Sequence, residues 1–180
     1  AEVCLAEGAY DDAYALACKM AKEKGYTFVH PYDDEDVIAG QGTIGLEILE
    51  SLDTVDAIVV PIGGGGLISG VAFAAKSMKP SIKIYGVQAE NAASMYNSIK
   101  KGEQITLDKV NTFADGIAVK HPGDTTFKMV QKYVDEVVTV SEDEIAASIL
   151  TLLEKQKVVQ DIRDERDWLW MILNNLQSSF

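Results

Sequence analysis

Apolar residues along the chain follow two periodicities that alternate with each other. Short runs rich in β-branched residues predict strands at 2–5, 26–30, 57–62, 82–88 and 136–140. One of these, at 57–62 (AIVVPI), is a continuous apolar run, which is typical of a strand buried on both faces of a parallel sheet.

Longer stretches with helical spacing separate the predicted strands. They lie at 11–24, 42–52, 67–78, 92–100, 125–133 and 142–155. The last one begins with a capping box formed by Ser141 and Glu144, followed by an apolar stripe on one face. Strand and helix alternation predicts right-handed crossovers, and therefore a three-layer α/β fold whose mostly parallel, twisted sheet has helices on both faces.

Two stretches depart from this alternation. Residues 102–124 show no periodicity, and loops of this length inside compact domains are usually functional or mobile. The tail at 160–180 contains both arginines and both tryptophans but no lysine, whereas residues 1–159 contain every lysine. This partition indicates a helical tail with an origin different from the rest of the chain.

The charge limits the classes of partner. A formal net charge of −12 argues against nucleic acid and anionic membranes, because both would repel the chain. No apolar run reaches the roughly 18 residues that a membrane-spanning helix needs, and the first residues lack the pattern of a signal peptide. We therefore expect a cytoplasmic protein. Because its net charge is negative, we expect it to bind any phosphate through backbone N–H groups.

A run of four glycines follows the third predicted strand directly. Gly63, Gly64, Gly65 and Gly66, here called the glycine loop, lead into the helix that begins at Leu67. Without side chains, consecutive N–H groups can converge on one point, and the helix N-terminus adds a favourable dipole. The pattern predicts a phosphate site at the carboxyl end of a strand, where open α/β sheets bind ligands.

Other glycine-rich phosphate motifs do not fit the spacing. A dinucleotide fingerprint needs a glycine where this chain has Ile68 or Ser69. A Walker-type loop needs a lysine after its second glycine, where this chain has Val71. A tight glycine turn without a ligand remains as the alternative.

Several further stretches occur in the order found in one enzyme family. They are residues 31–34 (PYDD), 39–47 (AGQGTIGLE), 61–67 (PIGGGGL), 86–90 (GVQAE), 114–119 (ADGIAV) and 140–145 (VSEDEI). Together they resemble the threonine ammonia-lyases (threonine/serine dehydratases), which are pyridoxal-phosphate enzymes of fold type II, the tryptophan-synthase-β-like class. The resemblance covers residues 1–159.

The resemblance implies a cofactor and a set of residues around it. The family uses pyridoxal phosphate to convert a hydroxy amino acid into a 2-oxo acid and ammonia. It implies that the glycine loop and Leu67 hold the cofactor phosphate and that Gly116 lines the cofactor ring. Glu90 matches a position where some relatives bind a monovalent or divalent cation.

The same resemblance divides the chain into three parts. Residues 1–25 correspond to the last strand and helix of the family's small cofactor domain, residues 26–159 to the α/β core of the large domain, and residues 160–180 to nothing in the family.

The family's catalytic lysine lies before the matched region, where it forms a Schiff base with the cofactor and moves the α-proton. No residue of this chain matches it, and Lys120 is expected to be a solvated loop lysine. We therefore expect no catalytic residue, no covalent link to the cofactor and no activity from this chain alone, as for a truncated portion. Two alternatives stay open: a non-catalytic phosphate-binding module, and an interaction module that forms homo-oligomers through exposed apolar surface or the tail.

Overall fold

The computed structural model describes residues 3–7, 10–52 and 54–156. Three parallel strands form the sheet among them: β1 (Ala57–Pro61), β2 (Lys83–Ala89) and β3 (Glu136–Val140), in the order β1-β2-β3. Val59 lies opposite Tyr85 in the first pair of strands, and Val87 lies opposite Val138 in the second. The predicted α/β fold class, a parallel sheet combined with helices, is confirmed.

Six α-helices accompany the sheet within the described residues. They are α1 (Tyr10–Lys24), α2 (Glu35–Ser51), α3 (Gly66–Met78), α4 (Ser94–Lys101), α5 (Asp124–Tyr133) and α6 (Glu142–Gln156). Single 3₁₀ turns at Glu90–Ala92 and Asp115–Ile117 lie in the connections. The capping box at α6 is confirmed, since Ser141 N donates to Glu144 Oε2 at 2.8 Å and Glu144 N donates to Ser141 Oγ at 3.3 Å.

Helix α3 lies at the centre of the core. Ile68, Val71, Ala72 and Ala75 are each at most 1% exposed, and they pack in one cluster with apolar residues of β1, β2 and α5. Burying a large apolar side chain stabilises the fold by about 1.5–3 kcal/mol, so this burial holds the helix firmly in place. Because α3 begins where the glycine loop ends, the core also anchors the loop.

Helices α2 and α3 pack so closely that their backbones are in direct contact. A Cβ at Gly70 would overlap Ile38 O and would lie 2.6 Å from Gly42 N, so the two helices can touch only through glycine. The predicted start of α2 at Gly42 is wrong, because the helix begins seven residues earlier. Asp34 caps it by accepting hydrogen bonds from Asp36 N and Val37 N, and this cap determines the start more strongly than apolar periodicity does.

Two predicted strands are wrong. Val3 and Leu5, 81% and 88% exposed, lie outside any strand, as do residues 26–30, where Tyr26 and Val29 are 56% and 61% exposed. Both stretches have the composition of strands, but a strand also needs a neighbour for its backbone hydrogen bonds. The described residues contain no such neighbour for either stretch.

Several expectations concern residues that the structure does not describe. Glu2 and the tail at 160–180 lie outside the described ranges, and the division of the chain at residues 25 and 159 stays a prediction. Within the described ranges, every helix is too short or too polar to cross a lipid bilayer.

Candidate functional site

The glycine loop leaves the end of β1 and turns into the first turn of α3. Ile62 N donates to Val87 O at 2.8 Å, which keeps the chain alongside β2 until the loop begins. Gly65 then adopts φ +101°, a left-handed conformation that favours glycine, and it is the N-cap of α3. The predicted strand–loop–helix arrangement is therefore present.

Tyr32 forms one wall of the glycine loop. A Cβ at Gly64 would overlap the Tyr32 ring, and a Cβ at Gly66 would lie 2.9 Å from Tyr32 Cα. The Tyr32 hydroxyl donates to His121 O at 3.2 Å, and Tyr32 N donates to His30 Nδ1 at 3.3 Å. Tyr32 is thus held by hydrogen bonds at its backbone N–H and at its hydroxyl, and it leaves no room for side chains at Gly64 or Gly66.

Five consecutive N–H groups of this turn have no partner among the described residues. None of the backbone N–H groups from Gly63 to Leu67 donates a hydrogen bond there, although residues 64–66 are buried. A buried N–H group without an acceptor costs about 1–3 kcal/mol, so such groups in native proteins normally meet water or a ligand. Together with the α3 N-terminus they favour an anion with several acceptor oxygens.

The loop opens into a cavity of about 400 Å³. The cavity is lined by the glycine loop, Leu67, Pro31, Tyr32, Gln41, Pro61 and residues 115–119, which include Gly116. The structure therefore brings together Gly63, Gly64, Gly65, Gly66, Leu67 and Gly116, all six residues expected to contact the cofactor. The volume lies within the range of about 300–1,000 Å³ that small-molecule sites occupy.

The long loop at 102–124 forms another wall of the cavity and is fixed to the core. Glu142 Oε2 accepts hydrogen bonds from Thr112 Oγ1 at 3.1 Å and from Phe113 N at 3.2 Å. Ser94 Oγ donates to Val119 O at 2.9 Å, close to the point where the wall ends. A Cβ at Gly63 would lie 3.2 Å from Ile117 Cα, so this wall directly contacts the glycine loop.

Glu90 lies apart from the cavity. Its exposed side chain belongs to the 3₁₀ turn after β2, and neighbouring carbonyls already accept hydrogen bonds, Asn91 O from Asn111 N and Ala92 O from Gln88 Nε2. The described part of the chain contains no group of three or more His, Cys, Asp or Glu residues that could hold a metal ion. The cation at Glu90 stays a prediction.

Among the described residues, no lysine lines the glycine-loop cavity. Lys120 follows directly after Val119, but its side chain is not among the lining groups. The residues that sequence reasoning missed are Tyr32 and Gln41. Both lie in stretches that were noted only for their family resemblance, and the tyrosine beside Pro31 gives no signal by itself that its ring covers the glycine loop.

A second, larger cavity of about 920 Å³ lies between α2, α3 and α5. It is an apolar groove, here called the helix groove, whose lining includes Leu46, Phe73 and Met129 with Lys128 and Lys132. None of the residues predicted from the sequence to contact a ligand lines it.

Comparisons with known proteins identify the family of the chain. A family model described as pyridoxal-phosphate dependent enzyme matches residues 1–162. The L-threonine ammonia-lyase of Thermotoga maritima is 55% identical over 161 residues, which make up 89% of this chain and 40% of that protein.

Solved structures give the same result. The processed form of threonine deaminase isoform 2 from Solanum lycopersicum matches with a TM-score of 0.81 and 42% identity, covering 85% of this chain and 42% of that one. Maize serine racemase matches with a TM-score of 0.82 and 36% identity, covering 87% and 47%. The chain spans less than half the length of each of these three proteins.

The family match covers most of the chain, and the residues expected to hold the cofactor lie together around backbone donors that have no partner among the described residues. The chain therefore belongs to the pyridoxal-phosphate dependent enzymes, and its resemblance to the threonine ammonia-lyases of fold type II is confirmed.

Proposed function

We propose that the glycine-loop cavity binds the phosphate of pyridoxal phosphate in a dehydratase that acts on threonine or serine. The observation that carries the proposal is the row of N–H groups at residues 63–67, which donate to no acceptor among the described residues. A phosphate dianion offers enough oxygens to accept from several of them, and the α3 dipole adds to its binding.

The described residues fit this cofactor. The glycine loop and Leu67 would hold the phosphate, and the backbone at Gly116 would lie along the ring. Tyr32 and residues 115–119 would exclude water from either side of the loop. When bound, pyridoxal phosphate withdraws electrons from the α-carbon of an amino acid, which makes the α-proton acidic.

The substrate class follows from the relatives. One is named for threonine and another for serine, and both amino acids carry a hydroxyl group on the β-carbon. We propose that this chain, whose described residues place no lysine in the cavity wall, binds the cofactor without a covalent bond and does not turn over substrate alone. The alternative is a phosphate-binding or interaction module without catalysis.

A cofactor titration tests the proposal. Pyridoxal phosphate should bind the chain with a change in its absorbance spectrum, inorganic phosphate should compete, and borohydride reduction should leave no cofactor attached to any residue of the cavity wall. Gly64→Ala should weaken binding at least about a hundredfold, because the new Cβ would overlap the Tyr32 ring beside the phosphate.

Gly40→Ala is the matched control, since a Cβ there meets nothing within 4 Å and the residue does not line the cavity. It should bind the cofactor as the wild type does. Absence of binding by the wild type, or binding that phosphate does not reduce, would refute the phosphate site. Release of a 2-oxo acid from serine or threonine would refute the proposed lack of turnover.

The cation at Glu90 is a separate proposal. A hard cation such as Ca²⁺ takes about six to eight oxygen ligands, and the described residues supply one carboxylate, so further donors would be needed. Titration with K⁺ and Mg²⁺, compared between the wild type and Glu90→Gln, tests it. Equal responses of the two proteins would exclude a role for this carboxylate.

A further inference from the structure

Thr126 contacts the glycine loop from the side of α5. Its hydroxyl donates to Gly64 O at 2.6 Å, and the same carbonyl accepts from Gly123 N at 3.3 Å. A hydroxyl has one proton, and the alternative acceptor, Gly123 O, is more distant at 3.2 Å. The Gly64 carbonyl is therefore held toward α5 by two donors.

This bond also sets the direction of the next N–H group. In a planar trans peptide the C=O and the N–H point in opposite directions. When Gly64 O points to α5, Gly65 N–H points away from α5, and Gly65 lines the cofactor cavity. Since Gly65 N–H donates to no acceptor among the described residues, it is available to a ligand there.

The peptide between Gly64 and Gly65 would turn easily without such a restraint. Both residues lack a Cβ, so the steric barrier that normally fixes a peptide plane is absent. A reversed peptide would present the Gly64 carbonyl to the phosphate in place of the Gly65 N–H. Binding would then lose a donor and gain a repulsive oxygen, which costs more than one missing hydrogen bond.

Thr126 is itself held rigidly. The residue is fully buried in the first turn of α5. The Asp33 carboxylate accepts hydrogen bonds from Asp124 N, Thr125 N and Thr126 N at 3.0, 2.9 and 3.1 Å. Asp33 directly follows Tyr32, which forms a wall of the cavity. The hydrogen bonds that Asp33 accepts therefore connect this wall to the first turn of α5.

We propose that Thr126 is a positioning residue whose hydroxyl locks the Gly64–Gly65 peptide so that Gly65 N–H faces the phosphate. The inference rests on the proposed phosphate site, and it assigns a function to a side chain that does not line the cavity. It predicts that the hydroxyl, and not the volume of the side chain, determines phosphate affinity.

Three variants separate these effects. Thr126→Val removes the hydroxyl at nearly constant shape, Thr126→Ser retains it, and Thr125→Val is the control one residue away. By calorimetry with inorganic phosphate and with pyridoxal phosphate, Thr126→Val should bind both about tenfold more weakly. Thr126→Ser should stay within about twofold of the wild type, and Thr125→Val should be unchanged. Wild-type affinity in Thr126→Val would overturn the proposal.

A measurement on the wild type covers the case in which Thr126→Val does not fold. In a ¹⁵N-labelled sample, added phosphate should shift the Gly65 amide resonance strongly and leave that of Gly40 in place. Phosphate binding without a response at Gly65 would refute the positioning role alone. Absence of phosphate and cofactor binding by the wild type would instead refute the proposed function, so the two failures are distinguishable.

Discussion

Two cavities in the described part of this protein differ in kind as well as in size. The helix groove encloses about 920 Å³ between apolar side chains of α2, α3 and α5, whereas the glycine-loop cavity encloses about 400 Å³. The α3 residues that line the groove use their N–H groups within the helix. The smaller cavity has the N–H groups of residues 63–67, which have no partner among the described residues. The two cavities therefore differ in the backbone donors that they offer to a ligand.

Glycines serve both cavities, but for different reasons. At the glycine loop they leave backbone donors accessible, and at the groove they let α2 and α3 approach each other. A substitution at the groove should therefore affect the fold, and one at the loop should affect the ligand. Three further predictions test this separation.

The largest effect on stability is expected at Gly70, which lines the groove. Gly70→Ala places a Cβ against Ile38 O and Gly42 N, which are backbone atoms that cannot move independently of α2. We expect the free energy of unfolding to fall by about 3 kcal/mol, measured by urea denaturation. Cofactor affinity, corrected for the folded fraction, should stay at the wild-type value. Loss of affinity in the folded protein would show that the two regions are coupled.

Adjacent aspartates provide the next test, because each accepts hydrogen bonds from the first turn of a different helix. Asp33→Ala removes the acceptor for three N–H groups of α5 and should lower the free energy of unfolding by about 2 kcal/mol. Asp34→Ala removes the N-cap of α2 and should cost about 1 kcal/mol.

Cofactor binding distinguishes the two variants. Asp33→Ala should also weaken cofactor binding, since α5 carries Thr126, whereas Asp34→Ala should leave binding unchanged. Thermal unfolding and cofactor titration of the same samples measure both quantities. Equal affinities in the two variants would contradict the connection between Asp33 and the phosphate site.

These aspartates also show what the sequence can and cannot predict. Capping preference is local, so Asp34 followed by Glu35 and Asp36 could have indicated the start of α2, although apolar periodicity predicted Gly42. The strand–loop–helix arrangement at the glycine loop and the capping box at Ser141 are likewise short-range patterns, and both were predicted correctly.

The contacts that shape the cavity depend on distant parts of the chain. The Thr126 bond to Gly64 spans 62 residues, and the Asp33 bond to Thr126 N spans 93. No local pattern encodes such a contact. For the same reason the strand-like residues 26–30 were wrongly assigned, because pairing depends on a neighbour that the local sequence does not specify.

A smaller effect than at Gly70 or Asp33 is expected at Asp135, which lines neither cavity and lies just before β3, at the end of the sheet away from the glycine loop. The Lys76 ammonium, the Ile84 N–H and the Lys83 ammonium hold the pKa of the Asp135 carboxyl well below its usual range. The distances are 2.7, 2.9 and 2.9 Å, and the side chain is 21% exposed.

A lowered pKa in the folded state stabilises the fold above the unfolded pKa of about 3.9, and this contribution is lost as the pH falls below that value. Asp135→Asn should therefore lower the free energy of unfolding by about 1 kcal/mol at pH 7, a difference that shrinks below about pH 4. Urea denaturation between pH 3 and 7 measures it.

Cofactor affinity at pH 7 should be unchanged, because this charge network acts on the sheet and not on the phosphate site. A difference that stayed constant down to pH 3 would mean that the carboxylate charge contributes nothing, and a change in affinity would mean that the sheet transmits its effect to the glycine loop.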